Sequence, residues 1–217
     1  FRFTTTYRKN YKRFFIELIY MISNLIRLGV KTTLKLICEK IIIKHINIIN
    51  KNNKFNGVID ELNIKAESII FKKINISHIN INIKNITARL PINNRNLFID
   101  NCYADIYMKL TIDNINKTLL NKKWNRLKTS IESFILESFK SIEIKNKKLV
   151  FTSSDGLSKL NSHYTLQYDK NNILLVNDIN QEKLSILNDK NIIVNNLILF
   201  ESYIELEFSS KIIFNLL

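Results

Sequence analysis

From 58 to 70 the even positions Val58, Leu62, Ile64, Ala66 and Ile70 are apolar while Asp60 and Ser68 interrupt them, an imperfect form of the period-two alternation of a half-buried strand. Ile74 and Ile76 keep that phase, Ser77 and His78 intervene, and Ile79, Ile81 and Ile83 continue in the opposite phase. A slip of this kind moves every later side chain to the other face, so a bulge or tight bend is expected there. Ile41 to Ile49 reads as the strand before this pair, with a Lys/Asn turn closed by Gly57 between them. Leu97 to Leu110 reads as the strand after it, its alternation broken near Asn101 and Cys102, and Pro91 fits a strand end or edge.

Three stretches change period. From Lys12 to about Glu39 a polar line through Arg13, Glu17, Tyr20, Asn24, Arg27, Lys31 and Lys35 lies opposite Phe15, Leu18, Ile19, Ile22, Leu25, Ile26, Val30, Leu34 and Ile37. That predicts a long amphipathic helix, which either covers a sheet or lies along a membrane surface. Thr111 is a plausible N-cap for a short helix through Ile112, Ile115 and Leu119, with Asp113 in its first turn and a bend at Asn121 to Lys123. A further helical face is expected through Trp124, Leu127, Ile131, Phe134, Ile135 and Phe139. Short apolar or alternating runs follow at Ile142 to Ile144, Leu149 to Phe151, Tyr164 to Tyr168, Ile173 to Val176, Leu184 to Leu187, Ile192 to Phe200 and Tyr203 to Phe208. Polar turns separate them, as in antiparallel meanders, and no βαβ rhythm is present. The expectation is an α+β fold: a long N-terminal amphipathic helix and a central helical segment packed on a strongly curved, mainly antiparallel sheet. Two parts are expected, residues 1–43 as basic arm and helix and residues 44–217 as the curved-sheet domain.

Composition alters this picture in one respect. The 217 residues include only three glycines and one proline, with Ile, Asn and Lys abundant, the residue set that AT-rich codons favour. Such codons write lysine freely, which weakens any inference from the net charge of +14. Arginine is not so favoured, yet four of the seven arginines lie in the first 27 residues. Eight cations face Glu17 alone in residues 1–36, so half of the net charge sits in about one sixth of the chain. Leu18 to Ile26 is uncharged but far shorter than the ~20 apolar residues that span a bilayer. The basic start before FFIELIYMI is signal-peptide-like, but Glu17 interrupts it and no small-residue cleavage site follows.

The residues point away from an enzyme. His45, His78 and His163 are far apart without a Cys or carboxylate at ligand spacing, so no metal site is expected. Ser153-Ser154-Asp155-Gly156 is a turn and lacks the flanking glycines of a nucleophile elbow. Gly29, Gly57 and Gly156 are too dispersed for a phosphate loop. Cys38 and Cys102 form no disulfide framework. Glycosylation sequons beginning at Asn75, Asn85 and Asn116 are expected by chance in so Asn-rich a chain.

Gly57-Val58-Ile59-Asp60-Glu61-Leu62-Asn63-Ile64-Lys65-Ala66-Glu67, then Ile74-Asn75-Ile76 and the strand Ile79 to Ile83, and then Leu110-Thr111-Ile112-Asp113-Asn114-Ile115-Asn116-Lys117-Thr118-Leu119 resemble, in that order, the LmeA-type phospholipid-binding family of cyanobacteria and actinobacteria. The resemblance covers about residues 45–217 in order of elements, through short and degenerate motifs. It implies non-catalytic binding of phospholipid acyl chains on the concave side of a curved sheet. Joined to the AT-rich composition, it implies a plastid (chloroplast) location with membrane association. It carries over no ligand contacts, and the chain departs from many members in being basic and glycine-poor.

The function expected is therefore non-catalytic binding of a phospholipid or other hydrophobic ligand at an anionic membrane surface, with no cofactor. Arg8, Lys9, Lys12 and Arg13 are the candidate head-group contacts, and Phe14 and Phe15 the anchors at the acyl boundary. The alternatives are nucleic-acid binding, for which the basic, aromatic stretch from Phe1 to Phe15 would suit phosphate contact and base stacking, and a scaffold whose apolar groove receives a partner helix.

Overall fold

The computed structural model describes residues 21, 23–50, 58–89, 98–99, 102–153 and 163–212. They form two antiparallel sheets and helices. Of the helix expected over 12–39, residues 21 and 23–37 are helical (α1), residues 38 and 39 are not, and residues 12–20 and 22 lie outside the described residues. β1 (Lys40–Ile49), β2 (Val58–Phe71), β3 (Ile74–Arg89), β4 (Phe98–Ile99) and β5 (Cys102–Thr111) follow. Next come α2 (Ile112–Leu119), a 3-10 turn (Lys122–Trp124) and α3 (Asn125–Ile135). Then follow β6 (Phe139–Lys145), β7 (Lys148–Ser153), β8 (Tyr164–Asp169), β9 (Asn172–Asn177), β10 (Lys183–Asn188), β11 (Ile192–Leu199) and β12 (Tyr203–Ile212). The seven-stranded sheet runs β1-β2-β3-β5-β12-β11 with β4 on β3, and the five-stranded sheet runs β10-β9-β8-β7-β6.

The interruptions at Asp60 and Ser68 are real changes of pleat. Ile59, Leu62, Ile64, Ala66 and Ile69 are the buried residues of β2, so the inward phase switches at both polar positions. On β3 the inward residues switch from Ile76 to Ile79 at Ser77-His78, and from Ile83 to Ile86 at Asn85. The two strands switch opposite one another while their register stays constant from Val58↔Thr87 to Phe71↔Ile74. Ser68 (φ 51°) and Asn85 (φ 56°) absorb the switch in the left-handed region, so no residue is inserted and the apolar set stays on one face.

That inner face has two coverings. Ile26, Val30 and Leu34 of α1 pack over Ile59, Leu62, Ile64, Ile83, Ile86, Cys102 and Ala104 on the β1 side. The packed stripe is narrower than the expected apolar face, because Leu25 and Ile37 are 60% and 52% exposed. The β5-β12-β11 side packs through Val194, Leu199, Ile204 and Leu206 on Phe139, Ile142, Leu149, Phe151, Ile173 and Leu175 of the second sheet and on Leu119, Ile131 and Ile135 of the helices.

Helix α3 ends sooner than its period suggests. Leu136 adopts φ 60° as its cap, so Phe139 opens β6 and is no part of the helix. Nothing marks this stop in the sequence, since a non-glycine residue takes the position that glycine usually fills.

Asp178, in the turn after β9, joins three strands. It accepts from Lys148 Nζ at 2.8 Å and Thr165 Oγ1 at 2.9 Å. The bond from Lys148, assisted by that from Thr165, holds its carboxyl below the usual range. A depressed carboxylate contributes stability that is fully present above its unfolded pKa of about 3.9 and is lost as pH falls through the folded value. Asp178→Asn is therefore expected to melt below the wild type at neutral pH, with the gap narrowing at acid pH as the folded wild type also becomes protonated. Thermal melts at the two pH values check this.

Candidate functional site: an apolar cavity between the sheets

The two sheets and the helical segment line a partly open apolar cavity of ≈290 Å³. Met108, Leu110, Leu197, Ile204 and Leu206 of the first sheet form one wall, and Ile142, Leu149, Phe151, Leu166, Ile173, Leu175, Ile186 and Leu187 of the second form the facing one. Ile112, Ile115 and Leu119 of α2, Trp124, and Leu127 and Ile131 of α3 close one end. Met108, Leu110, Ile115, Leu166 and Leu197 point into the core yet are only half-buried, because the space before them is unfilled. A well-packed core leaves few voids larger than a water molecule.

Local chemistry explains how α2 comes to form this end wall. Thr111 caps it by accepting from the Asn114 N–H. The Ser77 hydroxyl accepts from the Thr111 N–H at 3.1 Å and from Asn114 Nδ2 at 3.1 Å, tying the start of the helix to β3. Thr118 Oγ1 accepts from the Asn75 N–H at 3.0 Å and donates to the Asn114 carbonyl at 2.8 Å. On the other side Asn116 accepts from the Ile142 N–H at 2.8 Å and donates Nδ2 to its carbonyl at 3.0 Å, so its amide stands in for a strand on the free edge of β6. Asn75 and Thr118, the polar members of the lining apart from the Trp124 indole N–H, are bonded to one another, the Asn75 Nδ2 also donating to Thr118 Oγ1 at 3.4 Å. The Trp124 N–H is also satisfied, donating to the Lys72 carbonyl at 3.2 Å. The cavity lining is therefore almost wholly hydrocarbon.

A second concavity of ≈400 Å³ lies on the outer face of the first sheet, among Asn63, Lys65, Asn80, Asn82, Asp105, Tyr107, Asn195 and Glu207. Two of its polar groups are engaged. Asp105 takes Lys84 Nζ at 3.3 Å and the Ser209 hydroxyl at 2.9 Å. Tyr107 donates to Glu205 at 2.6 Å, and desolvation with that bond pushes its phenol up to about 12. The buried Oδ1 atoms of Asn80 and Asn82 have no hydrogen-bond partner among the described residues. The inner cavity is smaller but walled on both sides, which is what holding an apolar ligand needs.

Arg8, Lys9, Lys12, Arg13, Phe14 and Phe15 lie outside the described residues. His45 and His163 are exposed, whereas His78 faces Glu67 at 3.8 Å and meets the Tyr107 ring edge-on. Among the described residues no group of three or more His, Cys, Asp or Glu could hold a metal ion, and no helix is long and apolar enough to cross a membrane. Cys38 and Cys102 are free thiols, both pushed up by burial. The chance sequons had hidden structural work: Asn75, Ser77, Asn116 and Thr118 are the residues that moor α2. No protein-family model, curated protein or solved structure matches the chain.

Proposed function

We propose that the chain is a non-catalytic carrier of a hydrophobic ligand, taking a phospholipid or fatty acyl chain into the cavity between its sheets while associated with a membrane surface. The apolar lining of the cavity carries this reading. Its ≈290 Å³ is about twice the ~150 Å³ at which an apolar cavity stays dry and takes up benzene, and near the ~300 Å³ lower bound of ligand pockets. That favours one acyl segment over a whole two-tailed lipid. Burying ~8 methylenes would supply on the order of 6 kcal/mol, a Kd in the tens of micromolar before the costs of association. Curvature of the first sheet belongs to the same proposal, as do membership of the LmeA-type family and a plastid location, the last two supported by the strand and helix motifs and by the AT-rich residue usage.

Leu197→Trp tests it. In a filled core such an enlargement costs about 1–3 kcal/mol through strain, whereas an unfilled space can accept it. The expected result is a loss of stability below ~1 kcal/mol in denaturant, with the affinity for a fluorescent fatty acid falling about tenfold or more. Copurifying lipid should fall in parallel by mass spectrometry. Wild-type protein that takes up neither probe nor lipid, and instead captures RNA in a gel shift, would sink the proposal in favour of nucleic-acid binding.

A further inference from the structure

We infer that the edge of the cavity at Trp124 is the surface by which the protein docks on an anionic lipid bilayer. The inference rests on the reading of the cavity as an acyl-chain site and assigns that site its entrance. Trp124 lines the cavity and is half-buried, while its indole N–H reaches outward to the Lys72 carbonyl in the β2-β3 turn at 3.2 Å. This one ring joins the interior to the surface.

Four exposed cations surround it: Lys72 and Lys73 in that turn, and Lys122 and Lys123 in the 3-10 turn. Glu39 is the acid among them. It pairs with Lys73, and that bond, with the nearby charge of Lys123, holds its carboxyl below the usual range. Lys122 and Lys123 make no ion pair among the described residues. The hairpin turn itself is costly in sequence terms. Lys72 (φ 48°) and Lys73 (φ 68°) occupy two consecutive left-handed positions where Asn-Gly is preferred, so both cations are displayed at the expense of the better turn. Leu120, the C-cap of α2, stands 65% exposed, separated from Lys122 by Asn121 alone.

An exposed Leu, an amphipathic Trp with its N–H satisfied, and lysines around both form the combination that settles at a membrane interface, with apolar groups at the acyl boundary and cations against lipid phosphates. Docking there would place the Trp124 end of the cavity against the acyl region, so that a lipid tail entering past that ring would not cross water. Proximity to the cavity is what separates this surface from a generic polyanion site, since RNA would have no use for an apolar interior beside it.

The test is flotation of the full chain with phosphatidylcholine vesicles containing or lacking phosphatidylglycerol, at low and high salt. It is run beside a titration of the free protein with a fluorescent fatty acid. Lys122→Glu/Lys123→Glu should lower the affinity for the anionic vesicles by about 30-fold or more, since two attractions are replaced by two repulsions. Its fatty-acid affinity in solution should match the wild type, which also reports that it has folded. Leu120→Ser should weaken vesicle binding severalfold with its salt dependence unchanged. Vesicle binding by the lysine variant equal to the wild type, or wild-type flotation that ignores phosphatidylglycerol, overturns the inference. So does RNA capture without vesicle uptake. Failure of the wild type to bind the fatty acid overturns the cavity reading instead, and the vesicle result still decides the docking surface.

Discussion

Phe151→Ala is expected to destabilise the fold by about 3–5 kcal/mol. Phe151 is 1% exposed and stands between two rings in edge-on contact, Phe139 at 5.1 Å and Tyr164 at 5.5 Å. Truncation removes its transfer free energy and two aromatic pairs of about 0.5–1.5 kcal/mol each, and leaves space that the surroundings cannot fill because Phe151 already borders the cavity. Against a typical total of about 5–15 kcal/mol, a loss of this size leaves much of the chain unfolded at physiological temperature. Urea denaturation followed by far-ultraviolet circular dichroism measures it. A loss below ~1.5 kcal/mol would mean that the three rings do not form the packed centre of the second sheet.

Asn116→Ala is expected to cost about 2–4 kcal/mol, a large effect for a polar residue. The two hydrogen bonds to Ile142 satisfy backbone groups that point away from β7 on a buried residue, at the open side of β6. Without the amide, one N–H and one C=O are left unpaired, each at a cost of about 1–3 kcal/mol unless water reaches them. Hydrogen exchange distinguishes this from generic loosening. The Ile142 amide should exchange far faster in the variant, while the Val150 amide, within β7, changes only as global stability does.

How much of this could be read in the sequence depended on whether short-range chemistry decided it. Every strand from β6 onward was legible, since each apolar run is bounded by a polar turn such as Asn146-Lys147, which the fold places at φ 51° and 60°. Thr111 was legible as a cap because its oxygen acts within three residues. Asp60 and Ser68 were visible as breaks, but a single strand could not show that its neighbour breaks at the same level, which is what keeps the register intact. The division of the strands into two sheets was not legible, because residues of the same apolar character line both walls. The mooring of α2 also escaped, since Ser77 and Asn116 act across 34 and 26 residues and look like ordinary polar positions in a chain rich in Asn. Thr111 and Asn116, both within the motif that resembles the phospholipid-binding family, thus have structural duties that account for them without any ligand contact.

The position of β12 beside β5 has a consequence for how the molecule is made. These strands pair along their whole length, from Tyr203↔Thr111 to Ile212↔Cys102, with the helices and the entire second sheet intervening in the chain. As the polypeptide leaves the ribosome, β5 emerges with one edge open and stays so while roughly ninety more residues are synthesised. At ~5–20 residues per second that interval lasts several seconds, long compared with local hairpin formation. The newborn chain would therefore carry an unpaired central strand through that period, and such a chain is one on which a chaperone that shields strand edges would act.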